Sequence, residues 1–147
     1  MDWILRRAEP GDAPALAACI DAAYAAHAAR IPDLPAVSEG IAEDIATHFV
    51  WVAEGDDRII GGIVLVSATE HAVLANVAVD PAATGLGLGR ALISLAEAQA
   101  ADLGFATLRL TTHAAIPENI RLYRHLGWHE AARSGNKVTM EKRLGPI

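Results

Sequence analysis

Apolar positions along this 147-residue chain change period several times, and each change marks a predicted element. The run Trp3-Ile4-Leu5-Arg6-Arg7 reads as a first strand, stopped by the turn Glu9-Pro10-Gly11. Asp12 is a good N-cap with Pro14 in the first turn behind it, and Leu16, Cys19, Ile20, Ala23, Tyr24 and His27 then recur at helical spacing. Arg30, Pro32 and Pro35 break that pattern, and a short second helix is predicted near 38–45 with Ser38 as its cap. A strand over 47–53, the turn Glu54-Gly55-Asp56-Asp57 and a returning strand over 58–67 form a hairpin, whose next partner begins near His71. The pair Gly61-Gly62 inside the returning strand predicts a bulge or a close neighbour.

Farther on, 73–79 reads as a buried strand and 90–103 as a helix with Leu92, Leu95, Ala96 and Leu103 inward, stopped by Gly104. A strand over 107–111, a helix from Pro117 to Leu126 with Gly127 beyond its end, and closing strands over 128–133 and 137–143 complete the chain. The order βααβββαβαββ predicts an α/β fold, a mixed central sheet with helices on both faces, as one domain over 1–147.

Composition narrows the partners. A hydrophobic content of 52% fits a compact core, and a charged fraction of 20% argues against disorder. A net charge of −6 makes nucleic acid a poor main partner, because a phosphate backbone demands basic surface. The lone Cys19 forms no intrachain disulfide and reads as a small buried hydrophobe, which suits a reducing cytoplasm. The start Met1-Asp2-Trp3 is not a secretory leader, and no apolar run reaches membrane-spanning length. His27, His48, His125 and His129 show no metal-ligand spacing, so no metal is expected.

The chemistry concentrates in one stretch, Asp80-Pro81-Ala82-Ala83-Thr84-Gly85-Leu86-Gly87-Leu88-Gly89-Arg90, between the strand 73–79 and the following helix. Glycines let backbone approach a ligand closely, and a helix start offers unpaired N–H groups with partial positive charge. Together they make a receptacle for phosphate oxygens, with Arg90 adding a formal charge. Gly89-Arg90-Ala91 lacks the Lys-Ser/Thr end of a Walker A loop. The dinucleotide fingerprint fails as well, since it would need glycine at position 90 or 92.

These residues resemble the GNAT superfamily of acetyl-CoA-dependent N-acetyltransferases. The family's Q/R-x-x-G-x-G/A motif is matched by Thr84-Gly85-Leu86-Gly87-Leu88-Gly89 behind Val77-Ala78-Val79. Its Asn, Tyr and Leu-Gly-aromatic signature is matched by Asn119, Tyr123 and Leu126-Gly127-Trp128. Thr84 departs from the usual Gln or Arg, so Arg90 and backbone N–H groups must carry more of the pyrophosphate contact. The resemblance implies acetyl-CoA as cosubstrate, held by Val77, Ala78, Val79, residues 84–90, Asn119 and Tyr123, with no metal. It implies acetyl transfer to a primary amine of a small molecule or peptide, with Val79 N–H polarising the thioester carbonyl and Tyr123 as acid to the leaving thiolate. A neutral phenol, with a reference pKa of ~10 against ~8.5 for a thiol, is chemically suited to that task.

For a base, the strand 73–79 offers Asn76 where some members carry glutamate, and Asn takes no proton at neutral pH. His113 is the first candidate instead, with Glu70 and His71 behind it, and a water chain would serve as well. Tyr24, His27 and Arg30 are the expected acceptor contacts, and the last strands offer a surface for a homodimer. A non-catalytic acyl-CoA-binding module on the same fold is the alternative reading.

Overall fold

The structure, a computed structural model, describes residues 2–30 and 40–144, with the main chain alone for 26–30. The expected acceptor contacts His27 and Arg30, as side chains, and the expected cap Ser38 lie outside the described residues. Strands β1 (Trp3–Arg7), β2 (Phe49–Gly55), β3 (Arg58–Ser67), β4 (Ala72–Val79), β5 (Thr107–His113), β6 (His129–Ser134) and β7 (Lys137–Arg143) form one sheet in the order β1-β2-β3-β4-β5-β7-β6. Helices α1 (Ala13–Arg30), α2 (Ile41–Thr47), α3 (Leu88–Asp102) and α4 (Pro117–His125) complete the expected order βααβββαβαββ. No helix among the described residues is long and apolar enough to cross a membrane.

The period-two pattern of the strands divides the core between two faces. Leu16, Cys19 and Ile20 of α1 and Ile41 of α2 pack with Val50, Val52, Val64 and Ala78 on one face. Leu88, Leu92, Ile93 and Ala96 of α3 and Tyr123 of α4 pack with Trp51, Ile63, Leu65, Leu74 and Leu110 on the other. Gly61 and Gly62 serve both helical layers. A Cβ on Gly61 would stand 3.2 Å from Leu88 Cδ2, whereas one on Gly62 would stand 2.5 Å from Leu16 Cδ1. Both sequence expectations for this pair hold, because the β2–β3 register also skips Ile60 beside it.

Several boundaries differ from the sequence reading, each for a local reason. Asp12 does not cap α1. It ends a 3-10 turn, and its carboxylate turns back to accept from Glu9 N at 2.7 Å and to bind Arg6 at 2.8 Å. Helix α2 begins after Gly40 and runs on through Thr47, where His48 N donates to Asp44 O at 2.7 Å, so β2 starts later than expected. Helix α3 starts two residues before Arg90, because Gly87 adopts φ 76° and caps it, which puts Gly89 and Arg90 in the first turn. In the hairpin, Asp56 and Asp57 alone make the reversal, at φ 53° and 60°.

The position of the site is set by β4. Strand β3 pairs Val64 with Asn76 and Leu65 with Leu74, leaving Ala75 as a bulge. The extra residue reverses the alternation, so Leu74 before it and Val77 and Val79 after it all pack on the α3–α4 face. On the other side, β4 pairs with β5 in parallel through three pairs, Ala72 with Leu108, Val73 with Arg109 and Leu74 with Leu110. Beyond Leu74 the two strands separate.

Candidate active site

The separation of β4 from β5 opens a cleft of about 310 Å³, lined by Ala23, Tyr24, Val77, Ala78, Val79, Thr84, Gly89, Ile93, Asn119, Leu122 and Tyr123. Four elements meet here: the middle of α1, the end of β4, the start of α3 and one face of α4.

The β4 wall presents main chain. Asp80 N donates to Ile60 O at 2.8 Å, which fixes the phase of the β3–β4 ladder. Backbone groups of an antiparallel strand alternate sides, so those of Val77 and Val79 point away from β3, toward the opening. Tyr24 Oη reaches Val77 O from that side at 3.4 Å, a long contact. The Val77 and Val79 amides thus sit on a strand whose other edge pairs with β3 through Ala78 and Asp80.

Thr84 Oγ1 donates to Pro81 O at 3.1 Å, closing the turn that leads to α3. Gly85 and Gly87 follow at φ 85° and 76°, a region where a side chain is strained, yet open space lies where each Cβ would be. Glycine is required there for backbone shape and leaves the approach clear. Ala91 N makes the first intrahelical bond, to Gly87 O at 3.1 Å, so the N–H groups of Leu88, Gly89 and Arg90 are left for a ligand. The first turn carries no acidic residue, and Arg90 is exposed beside it. Such an arrangement is chemically suited to an anion.

Opposite stand Asn119 and Tyr123, one helical turn apart on α4. Tyr123 is 8% exposed, and Trp128 packs edge-on against it at 5.6 Å between ring centroids. Burial, with the nearby Tyr24 phenol, pushes the Tyr123 hydroxyl well above its ordinary pKa, and burial raises Tyr24 too. Both phenols are therefore neutral donors across the working pH range.

Of the residues singled out in the sequence, Tyr24, Val77, Ala78, Val79, Thr84, Gly89, Asn119 and Tyr123 converge on the cleft. Gly85, Leu86, Gly87 and Arg90 form its exposed rim, and Leu88 turns into the core at 1% exposure. His113 does not line the cleft. Its Nδ1 accepts from Ala115 N at 3.0 Å, a local bond that engages that nitrogen. Glu70 and His71 lie at the opposite end of β4 from Val79. Sequence reasoning missed Ala23, Ile93 and Leu122. Ile93 stands four residues after Gly89 and Leu122 three after Asn119, spacings that place each on the same helical face as a residue already chosen. Among the described residues no cluster of His, Cys, Asp or Glu is arranged to hold a metal.

Known proteins share this architecture. The chain is 35% identical over 85 residues to an uncharacterized N-acetyltransferase, YjgM, of Escherichia coli K12; the match covers 55% of this chain and 51% of that protein, so it spans about half the length of its curated relative. The PaiA N-acetyltransferase of Thermoplasma acidophilum, solved in complex with coenzyme A, superposes with a TM-score of 0.88 at 20% identity, over 97% of this chain and 99% of that one. YncA of Salmonella typhimurium, solved with its cofactor acetyl-CoA, superposes with a TM-score of 0.79 at 21% identity, over 100% and 96%. A family model described as acetyltransferase (GNAT) family matches residues 16–128, which include the β4 amides, the glycine turn, Asn119 and Tyr123, and the chain belongs to that family.

Proposed function

We propose that this chain transfers an acetyl group from acetyl-CoA to a primary amine, on a small molecule or a peptide, by direct attack in a ternary complex. One observation carries the reading: β4 amides that face away from β3, the N-terminal turn of α3 and the Tyr123 hydroxyl line or rim one cleft. The residues suit the cosubstrate. The main chain of Val77 and Val79 that faces away from β3 matches an amide-rich pantetheine arm, and the α3 start with Arg90 matches a pyrophosphate. With the Thr84 hydroxyl held by Pro81, the phosphate contact falls to backbone N–H groups and Arg90.

An acyl thioester supplies an electrophilic carbonyl carbon and a thiolate leaving group. Val79 N–H is assigned to the carbonyl oxygen, where its hydrogen bond strengthens as negative charge develops. Tyr123 is assigned to the departing sulfur. A phenol is a weaker acid than a thiol and burial widens the gap, so a free tyrosinate is not a stable product of the step. Its proton passes to sulfur and its oxygen recovers the proton lost by the attacking nitrogen, so the net change is one amide N–C bond formed, one C–S bond broken, one N–H proton lost and one thiol made. Asn119 is assigned to the pantetheine chain and Tyr24 to the acceptor side, with His27 and Arg30 as further acceptor contacts. His113 is given no role, and an acceptor that arrives as an ammonium ion loses its extra proton to water before it attacks.

The test is release of free CoA thiol across a panel of amines, comparing wild type with Tyr123→Phe. Turnover of one amine class that falls about 10²–10⁴-fold in the variant is the expected result for loss of a general acid. Unchanged turnover in the variant discards the role of Tyr123. Tight acetyl-CoA binding with no turnover of any amine would favour the alternative, an acyl-CoA-binding module.

A further inference from the structure

The two walls of the cleft belong to two halves of the sheet, and those halves are joined weakly. Strands β4 and β5 share three residue pairs, whereas β3–β4 and β5–β7 are each paired over seven. The β4 amides stand on one half and α4, with Tyr123, packs over the other. Something beyond the sheet must set the distance between them.

Lys142, on β7, is placed to do so. Its Nζ donates to Glu97 Oε1 of α3 at 2.9 Å and to Leu126 O, at the end of α4, at 2.8 Å. The side chains of Lys142 and Glu97 are 25% and 20% exposed, so the contact is partly shielded from water. Its charge lies against the carbonyl end of α4, the favourable end for a cation. Both neighbours lead to the site. Helix α3 carries at its start the turn proposed to hold the pyrophosphate and is seated on β3 by Leu88 and Leu92, which pack at Gly61. Leu126 N and Trp128 N both donate to the carbonyl of Tyr123, at 3.0 and 2.9 Å, so the end of α4 is tied to the backbone of Tyr123 itself. A continuous path runs from the β4 side of the cleft through α3, Glu97 and Lys142 to Tyr123.

We infer that Lys142 is a positioning residue that sets the spacing between Tyr123 and the β4 amides by binding α3 and the end of α4 together. The inference rests on the acetyltransferase reading above. Loss of the tie shifts Tyr123 with respect to the sulfur, and a misplacement of about 1 Å is enough to cost up to ~10²-fold in rate.

The test is a double-mutant cycle of Lys142→Met, which keeps the stem, and Tyr123→Phe, read as kcat and KM for acetyl-CoA, with Lys142→Arg as the rescue. Lys142→Met is expected to lower kcat at least tenfold with KM within about threefold, and Lys142→Arg to recover most of the loss. In the Tyr123→Phe background the same substitution is expected to cost less than about twofold, since the group it positions is gone. A purely structural role for Lys142 gives effects that multiply, and that result, or a folded Lys142→Met with wild-type kcat, overturns the inference. Should Lys142→Met not fold, Glu97→Gln enters the cycle in its place, because it leaves the bond to Leu126 intact. If Tyr123→Phe alone keeps wild-type kcat, the acid role and the positioning role fall together. If Tyr123→Phe is impaired and Lys142→Met is not, the positioning role alone is lost.

Discussion

Two adjacent glycines offer a sharp test of how the fold supports the site, because they face opposite helices. In Gly62→Ala the new methyl would sit 2.5 Å from Leu16 Cδ1 and 3.3 Å from Trp51 O. Leu16 is 1% exposed, so it has no solvent to move into, and its side chain must repack within the core or α1 must shift. Overpacking of this kind costs about 2 kcal/mol, which for a chain of this size lowers Tm by about 4–8 °C. In Gly61→Ala the methyl would meet Ala78 O at 3.0 Å, Leu88 Cδ2 at 3.2 Å and Leu92 Cδ1 at 3.4 Å. These contacts are less severe, and a cost of about 1–2 kcal/mol is expected. Leu88 and Leu92, however, seat the first turns of α3, so the turn proposed to hold the pyrophosphate shifts as well. The assay is a thermal melt of each variant beside the KM for acetyl-CoA. Gly62→Ala is expected to lose the more stability with KM unchanged, and Gly61→Ala to lose less stability with KM raised about 3–10-fold. Adding Leu16→Val to Gly62→Ala is expected to recover about 1 kcal/mol relative to the sum of the single effects. Equal melts with neither KM moved, or a raised KM in Gly62→Ala alone, would refute the division of labour between the two faces.

Two further outcomes follow from local geometry. Asp57 holds φ 60° in the β2–β3 hairpin, a conformation that costs a side chain more than glycine, so Asp57→Gly is expected to stabilise by about 0.5–1 kcal/mol, read as a raised urea midpoint at unchanged slope. Burial is the main reason the Cys19 thiol is pushed up to about 11, so it stays protonated at pH 8 and is expected to react with a thiol reagent only on unfolding. Because its folded pKa lies above the unfolded value of ~8.5, its contribution to stability is complete below that value and is lost as pH rises toward 11. Cys19→Ala is therefore expected to flatten the alkaline arm of a stability–pH curve, and an unchanged arm would remove Cys19 as its source.

The chain's own pattern determined the element order, the glycine turn and the helical pairing of Asn119 with Tyr123. All of these are local: apolar period, a Pro or Gly at an element's end and a spacing of four along one helix express themselves within a few residues. Tertiary structure decided the rest. No local signal says that β7 inserts between β5 and β6, or that β4 leaves β5 after Leu74. The bulge at Ala75 sends Val77 and Val79 to the α3–α4 face, and alanine carries no mark of it, because a bulge is a property of register with β3. Tyr24 meets Tyr123, and Lys142 meets Glu97 and Leu126, through packing of elements far apart in sequence. His113 shows the same limit from the other side: its residue type suggested a base, and only the folded chain shows that it does not line the cleft and that its Nδ1 accepts from Ala115 N. Residue types can nominate chemistry, but pairing and packing between distant segments decide which groups face the same cleft.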